Sequence, residues 1–308
     1  MYIGRFAPTP SGPLHFGSIV AALASYLDAK HNNGLWKIRI DDIDSPRTIE
    51  GAELSILKSL EGLGLIWDGD ISRQSKNIKE YNHNFEILKK KNLTYNCKCT
   101  RKKIALLNAS NINEPIYNNH CRNKQHPSSN NLAIRLISNY ESTNFIDKVQ
   151  GLQLCNIKNL TGDFIIKRSD QIYAYQLAVV IDDELQSVNN IVRGTDLLSS
   201  TIKQCYINNL LNFSKKTYTH IPIATLNHKK LSKGNGDKLK TLNTSSILIE
   251  GLRFLNQKFE KSIEDASKEE ILLYASKNWN VGLIEQVNCV ELKPNQRLIV
   301  DNTRRQIH

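Results

Sequence analysis

The sequence predicts an α/β chain: a mainly parallel sheet wrapped by helices, interrupted by an inserted subdomain and closed by a short helical region. Three observations lead there. The first 92 residues alternate strand, helix, strand and helix with short connections, the pattern of parallel strands joined by right-handed crossovers. At residue 93 the composition turns to Asn, Lys and short β-like pieces that continue to about 171. At Tyr175 an apolar run returns, and 308 residues at roughly 150 per domain leave room for about two domains.

Taken in order, Tyr2–Ala7 reads as the first strand. Pro8-Thr9-Pro10-Ser11-Gly12-Pro13 is neither helix nor ladder, because its three prolines remove donors and fix φ. Phe16–Lys30 carries Ile19, Leu23, Tyr26 and Leu27 at helical spacing and should stop near Asn33-Gly34, a left-handed terminus. Leu35–Ile40 is the next strand and runs into the acidic cluster Asp41-Asp42-Ile43-Asp44. Ser45-Pro46 should open a second helix, with proline at the first helical position and Asp44 complementing the dipole. Its core stripe would be Ile49, Ala52, Ile56, Leu60 and Leu63. Residues 76–92 read as a third amphipathic helix through Ile78, Tyr81, Phe85 and Leu88. The run Tyr175-Gln-Leu-Ala-Val-Val-Ile-Asp-Asp183 reads as a strand buried on both faces. Helices at about Leu198–Leu211, 245–258 and 267–279 complete the chain. Residues 1–92 and 172–226 are therefore expected as two halves of one sheet domain, 93–171 as the insert, and 227–308 as a cationic loop with a helical tail.

The 41 Lys+Arg against 30 Asp+Glu give a formal charge of +11, which favours a polyanionic partner, nucleic acid first. No apolar run reaches the ~18–20 residues a membrane helix needs. The opening Met1-Tyr-Ile-Gly-Arg-Phe lacks the basic and apolar regions of a secretory leader, so no membrane association and a cytoplasmic location are expected. Six scattered cysteines make no disulfide framework, and a close pair in a reducing compartment points to metal or redox chemistry. Cys97-Lys-Cys99 with Cys121 offers three soft ligands where zinc prefers four in a tetrahedron. On chemistry alone the fourth would be His120, beside Cys121. Cys155, Cys205 and Cys289 lie in apolar surroundings and are expected in the core.

Two segments carry chemistry. Arg5-Phe-Ala-Pro-Thr-Pro-Ser-Gly-Pro-Leu-His15-Phe-Gly17-Ser18 lies between a strand and a helix N-terminus. Ligands bind there in open α/β sheets, and the helix amides favour phosphate. Gly17 would let a nucleotide approach the backbone, and His15 can donate a hydrogen bond to it. His228-Lys-Lys230-Leu231-Ser232-Lys233-Gly234 is a cationic loop whose ammonium groups can neutralise charge on a transferring nucleotidyl group.

In this order the two segments resemble the signature motifs of class I aminoacyl-tRNA synthetases, H-x-G-[H/G/S] after the first strand and K-[ML]-S-K after the last. With Arg39-Ile-Asp-Asp-Ile-Asp44, Tyr175–Asp183 and Ile191-Val-Arg-Gly194, the likeness narrows to the glutamate branch and spans residues 1 to about 235. Within that branch the chain is similar to the glutamyl-Q tRNA(Asp) synthetase family, which lacks the helical anticodon-binding domains. The resemblance implies a Rossmann-like parallel sheet with a zinc-bearing insert. It implies a ligase that activates L-glutamate with Mg·ATP, without needing tRNA, and transfers it to the queuosine base in the anticodon of tRNA(Asp). It places glutamate on Arg5, Phe6, Ala7, Pro8, Thr9, Tyr175 and Arg193. Asp41, where the family usually has Glu, would face the α-ammonium group with a side chain one methylene shorter. His15 would stabilise the ATP phosphates and Lys233 neutralise charge as pyrophosphate leaves, with Gly17, Lys230 and Ser232 completing the ATP site. One zinc would sit on Cys97, Cys99, Tyr117 and Cys121, with Tyr117 rather than His120 as fourth ligand. A monomer is expected.

Charge logic runs the same way. Free glutamate carries two carboxylates and one ammonium, and Arg5, Arg193 and Asp41 supply two cations and one anion. The rival readings are a truncated glutamyl-tRNA synthetase charging a 3′ end, a non-catalytic zinc-bearing RNA-binding protein, and a different H-x-G nucleotidyltransferase that makes a cofactor. The 75 residues after Lys233 are too few for the usual anticodon-reading helices. His15, Arg5 and Lys233 speak against a non-catalytic chain, and the glutamate set against the third rival.

Overall fold

Strand β1 (Ile3–Phe6) pairs in parallel with β2 (Leu35–Ile40), from Ile3↔Leu35 to Phe6↔Ile38, and β2 pairs in parallel with β3 (Ser72–Arg73). The coordinates are those of a computed structural model. It describes residues 1–100, 102–104, 116–124, 126, 131–138, 142–157, 161–226, 229–230 and 243–292. On the other side of β1, the Asn189 amide donates to the Ile3 carbonyl (3.0 Å) and Asn189 Oδ1 accepts from the Ile3 amide (2.8 Å). This sets β9 (Asn190–Gly194) beside β1. From β9 the second sheet continues through β10 (Thr217–Ile221) to the hairpin β6 (Ser142–Asp147) and β7 (Gly151–Asn156). The chain thus leaves β1 toward β2 on one side and returns as β9 on the other, the topological switch point of an open α/β sheet.

The residues from 93 to 171 divide between two sheets. The β6–β7 hairpin joins β10. β4 (Thr94–Cys97), β5 (Ala133–Leu136) and β8 (Phe164–Lys167) form a separate antiparallel sheet.

Helix α1 (Phe16–His31) buries Ile19, Val20, Leu23 and Leu27 at the centre of the larger core. It ends left-handed as expected, but the positive φ falls on Asn33. Gly34 is required for a different reason: a Cβ there would lie 2.5 Å from the Tyr2 carbonyl. The second helix, α2 (Ala52–Gly62), starts later than the proline signal implies. Ser45–Arg47 makes only a 3-10 turn, Gly51 is the left-handed N-cap, and Ile49 is 55% exposed instead of lying in the core stripe. The connecting segment is used otherwise: the Ile49 amide donates to the Pro10 carbonyl (2.9 Å), bracing the proline-rich loop. Asp44 serves no α-helix dipole there, pairing instead with Arg47 (2.7 Å) and Arg168 (3.1 Å). The third helix, α3 (Ile78–Lys90), follows the expected pattern except that Ile78 is exposed.

The run from Tyr175 is not a strand. It is α4 (Tyr175–Leu185), buried through Leu177, Ala178, Val179, Val180 and Ile181. A continuous apolar run cannot by periodicity distinguish a doubly buried strand from a buried helix. Here α4 is sandwiched among α3, β8 and α5 (Leu198–Leu210). Cys205 and Cys289 are half-buried, not core residues: Cys205 packs against the outside of a small apolar cluster, and Cys289 starts an edge strand. The side chain of Cys155 lies outside the described residues.

The C-terminal helices α6 (Thr244–Phe254) and α7 (Lys268–Asn278) pack on α1. Phe254 meets Phe16 edge-on at 5.9 Å, and Trp279 Nε1 donates to Asp28 Oδ1 (3.0 Å). The tail also carries an unexpected strand, β13 (Cys289–Glu291), parallel to β11 (Ile223–Leu226). No helix among the described residues is long and apolar enough to cross a membrane. Because the tail shares the α1 core, Leu248→Ala should cost about 2–5 kcal/mol at a fully buried side chain. Urea unfolding should still show one transition, whereas an independent tail would give two.

Candidate active site and metal-binding cluster

The switch point between β1 and β9 opens into a cleft of about 350 Å³. Its walls come from the end of β1 with the loop through Pro13, the N-terminus of α1, Arg39 of β2, the start of α4, the end of β9 with the turn after it, and the stretch from Ile221 to Ala224. Of the residues expected to bind glutamate, Arg5, Phe6, Ala7, Pro8, Thr9, Tyr175 and Arg193 all line it, as do His15 and Gly17. Asp41 does not; it stands behind the wall, 7% exposed, with its carboxylate on Arg39 Nε (2.7 Å). Lys230 ends the short strand β12 (Lys229–Lys230), which pairs with β11. Ser232 and Lys233 lie outside the described residues.

His15 is the N-cap of α1. Its Nδ1 accepts from the Ser18 amide (3.2 Å), a task more often given to Ser, Thr, Asp or Asn. The ring is thereby fixed over the helix N-terminus, where the dipole favours an anion. A Cβ on Gly17 would lie 3.2 Å from His15 Cε1 and 3.8 Å from Ala224 Cβ, so the glycine keeps this wall thin.

Beneath the cleft lies a buried ionic cluster. Arg5 Nε reaches Asp183 Oδ1 (3.2 Å) and Arg39 Nη1 reaches the same oxygen (2.6 Å). Asp182, also fully buried, accepts from the Tyr81 hydroxyl (2.7 Å), Gln74 (2.8 Å) and Asn77 (2.8 Å) and faces Arg39 at 3.8 Å. Two guanidinium groups thus meet three carboxylates, Asp41, Asp182 and Asp183. Burial raises the Asp183 pKa, but Arg5 and Arg39 outweigh it and hold the carboxyl down at about 2. Burial wins at Asp41, which is pushed up to about 6 despite Arg39. Sequence reading missed Arg39, Asp182 and Asp183 as site residues. Arg39 also lines the cleft, and its Nη2 has no hydrogen-bond partner among the described residues.

The second constellation lies at the end of β4, where Cys97 closes the strand, Cys99 follows it in the loop and Cys121 stands in a turn. The sulfur atoms of Cys97, Cys99 and Cys121 lie within 4.8 Å of one another, all buried. A tetrahedral ion about 2.3 Å from each sulfur would space its ligands by roughly 3.8 Å, and Cys99 and Cys121 stand 3.6 Å apart. The donor set therefore fits a soft metal ion. The Tyr117 hydroxyl is 3.4 Å from Cys97 Sγ and 3.8 Å from Cys99 Sγ. His120 points elsewhere, its Nε2 at 2.8 Å from Lys124 Nζ. Burial opposes ionisation of Cys121, yet the Lys98 amide and the Tyr117 hydroxyl among its partners bring the thiol down to about 6. Gly162 permits this geometry, since at φ 60° its missing Cβ would lie on the Tyr117 carbonyl.

Comparison with known proteins decides the family. The model of class I tRNA synthetases (E and Q), catalytic domain, matches residues 3–290. The chain belongs to this family. Curated relatives of this class I synthetase include the glutamyl-Q tRNA(Asp) synthetase of Pseudomonas syringae pv. syringae, 41% identical over 94% of the chain and 96% of the relative. The glutamyl-Q tRNA(Asp) synthetase of an Escherichia coli strain is 42% identical over 92% of the chain and 91% of the relative. The solved glutamate-tRNA synthetase from Elizabethkingia anophelis shares the fold, with a TM-score of 0.79 at 21% identity over 95% of this chain and 68% of that one. The class I synthetase is thus a ligase.

The ionic cluster makes a prediction about acid stability. Asp183 has a folded pKa of about 2 against an ordinary 3.8. Its contribution is fully present above the ordinary value and is lost as pH falls toward 2. Asp183→Asn should cost about 3–5 kcal/mol at neutral pH by stranding Arg5 and Arg39. It should also flatten the fall in stability between about pH 4 and 2, read from urea midpoints across that range.

Proposed function

We propose that this class I synthetase activates L-glutamate with ATP and transfers it to the queuosine base in the anticodon of tRNA(Asp). One observation carries the reading: a cleft at the sheet switch point lined by Arg5, Arg193 and Tyr175 together with His15 and Gly17 of the helix N-terminus. A dicarboxylate amino acid and a triphosphate are suited to those two groups of residues. Relatives matched nearly end to end bear the glutamyl-Q name, which supports the acceptor.

In the proposed reaction a glutamate carboxylate oxygen attacks the α-phosphorus of Mg·ATP. The bond to the β,γ-phosphates breaks, and glutamyl-adenylate and pyrophosphate form without tRNA. His15 and Gly17 hold the phosphates; Lys233 neutralises the leaving charge, and Lys230 and Ser232 complete the ATP site. Arg5 and Arg193 hold carboxylates, and the cluster containing Asp41, with one carboxylate in excess, attracts the ammonium group. One zinc ion, the metal this thiolate set favours, would be held by Cys97, Cys99, Cys121 and Tyr117 and would fix the β4–β5–β8 sheet against the RNA. The enzyme would act as a cytoplasmic monomer.

The deciding experiment supplies labelled glutamate and ATP with three RNAs: queuosine-bearing tRNA(Asp), unmodified tRNA(Asp) transcript and tRNA(Glu). Only the first should be labelled, and labelling should weaken with added salt as phosphate contacts are screened. Equal labelling of either other RNA would assign the chain to 3′-end charging. The Asp41 role has a pH signature. A carboxyl titrating at about 6 is charged above that pH and neutral below it. The glutamate KM should therefore rise as pH falls through about 6, and Asp41→Asn should raise it at neutral pH and abolish the slope. Elemental analysis should find one zinc per chain, retained in His120→Ala and weakened in Tyr117→Phe.

A further inference from the structure

Arg193 is held by partners that the catalytic motifs do not include. Its Nε–H donates to His220 Nε2 (3.2 Å), and Nη2 donates to Thr201 Oγ1 (2.7 Å) and Gln204 Oε1 (2.6 Å). Nη1 donates to the Tyr175 hydroxyl (3.4 Å) at the cleft wall. A guanidinium has five N–H donors. Four are thus placed, and the fifth, on Nη1, has no partner among the described residues, on a side chain that lines the cleft.

Behind Arg193, His220 is fully buried and its Nδ1 lies 2.6 Å from Asp147 Oδ2. Asp147 is itself fixed: its Oδ1 accepts from the amides of Val149 (3.0 Å), Gln150 (2.8 Å) and His220 (3.1 Å) at the turn of the β6–β7 hairpin. A carboxylate at 2.6 Å requires the imidazole proton on Nδ1, which leaves Nε2 as the acceptor that Arg193 Nε–H needs. Burial, with Arg193 alongside and Arg5 beyond, lowers the His220 pKa against the pull of Asp147, so the ring stays neutral between its charged neighbours. The Tyr218 ring lies nearly parallel to it, with ring centroids 6.2 Å apart.

We infer that Asp147 and His220 are positioning residues for substrate binding: they set the imidazole tautomer that orients Arg193 so that Nη1 meets a ligand carboxylate in the cleft. The inference rests on the reading of that cleft as the glutamate site. It gives the β6–β7 hairpin a part in amino-acid recognition, although the hairpin lines no part of the cleft.

Three variants separate positioning from simple support. His220→Asn keeps an N–H near the Nδ1 position for Asp147 and removes the acceptor for Arg193. His220→Gln can place an amide oxygen near the Nε2 position and restore that acceptor. Asp147→Asn can keep an oxygen on the turn amides while turning an NH₂ toward Nδ1, which drives the proton to Nε2 and sets donor against donor. His220→Asn and Asp147→Asn should weaken glutamate binding roughly tenfold to hundredfold, the loss expected for one charge-assisted hydrogen bond. ATP binding should be unchanged, and His220→Gln should recover much of the loss. Titration calorimetry with glutamate and with ATP reads these effects, and nitrogen-15 NMR of the His220 ring reads the tautomer, Nδ1–H in the parent and Nε2–H in Asp147→Asn. Wild-type glutamate affinity in folded His220→Asn, or equal weakening of ATP and glutamate in all three variants, would overturn the inference. Arg193→Ala is the control on the underlying reading. If it also leaves glutamate affinity intact, the glutamate site itself is misassigned and the inference falls with it; if it abolishes binding while the other variants do nothing, only the positioning role falls.

Discussion

The architecture around the cleft depends on one buried set of ion pairs. Arg5 on β1 and Arg39 on β2 both reach Asp183 on α4, and Arg39 also faces Asp182 and holds Asp41. These contacts join the first strand, the second strand and a helix some 140 to 180 positions later in the chain. Removing charges from water is costly, and geometry this close repays it only when every partner is present. The cluster therefore ties β1 and β2 to α4. It also explains why Arg5 can serve a ligand: its Nε side is anchored on Asp183 while the residue lines the cleft.

The same cluster sets the electrostatics of the cleft. Three carboxylates against two guanidinium groups leave a negative excess below the cleft; the pKa of Asp41 is raised first by burial, with the nearby Asp182 carboxylate adding a smaller push. Arg193 enters from the opposite side, with its own carboxylate, Asp147, one imidazole away. Under the proposed function, a ligand with carboxylates and an ammonium would meet both signs of charge within one small volume, with the N-terminus of α1 left for phosphate. Specificity of this kind comes from buried groups that a wrong ligand would leave unpaired.

The cysteine cluster follows a related logic of charge. Three thiolates around one divalent ion would retain a negative charge, and Arg135 lies beside them. Its Nε donates to Cys97 Sγ (3.2 Å), and the guanidinium stacks 3.6 Å above the Tyr117 ring. Such outer contacts orient ligands and tune a metal site. Asp163 ties Tyr95, Ser138 and Arg122 together beside the cysteines.

Much of this was legible in residue order. Short-range signals determined the strand–helix alternation of the first 40 residues, the proline loop, the glycine at the helix entrance and the Cys-x-Cys pair, because each depends on local φ, hydrogen-bonding capacity or ligand spacing. The cleft residues Arg5, His15, Gly17, Tyr175 and Arg193 were also named from sequence, and the structure gathers them. What sequence left undecided was long-range. The run 175–185 is apolar enough for a strand or a helix, and only its packing among α3, α5 and β8 selects the helix. That choice matters: in a strand Asp182 and Asp183 would face opposite ways, whereas a helical turn of about 100° per residue lets both reach the arginines. Ile49 fits a helical stripe, yet Gly51 and the tie to Pro10 remove it. Arg39 stands in a motif that gives it no stated part, and His220 and Asp147 carry no local mark of function. Their roles are created by burial and by partners far away in sequence, and those are properties that only the tertiary structure assigns.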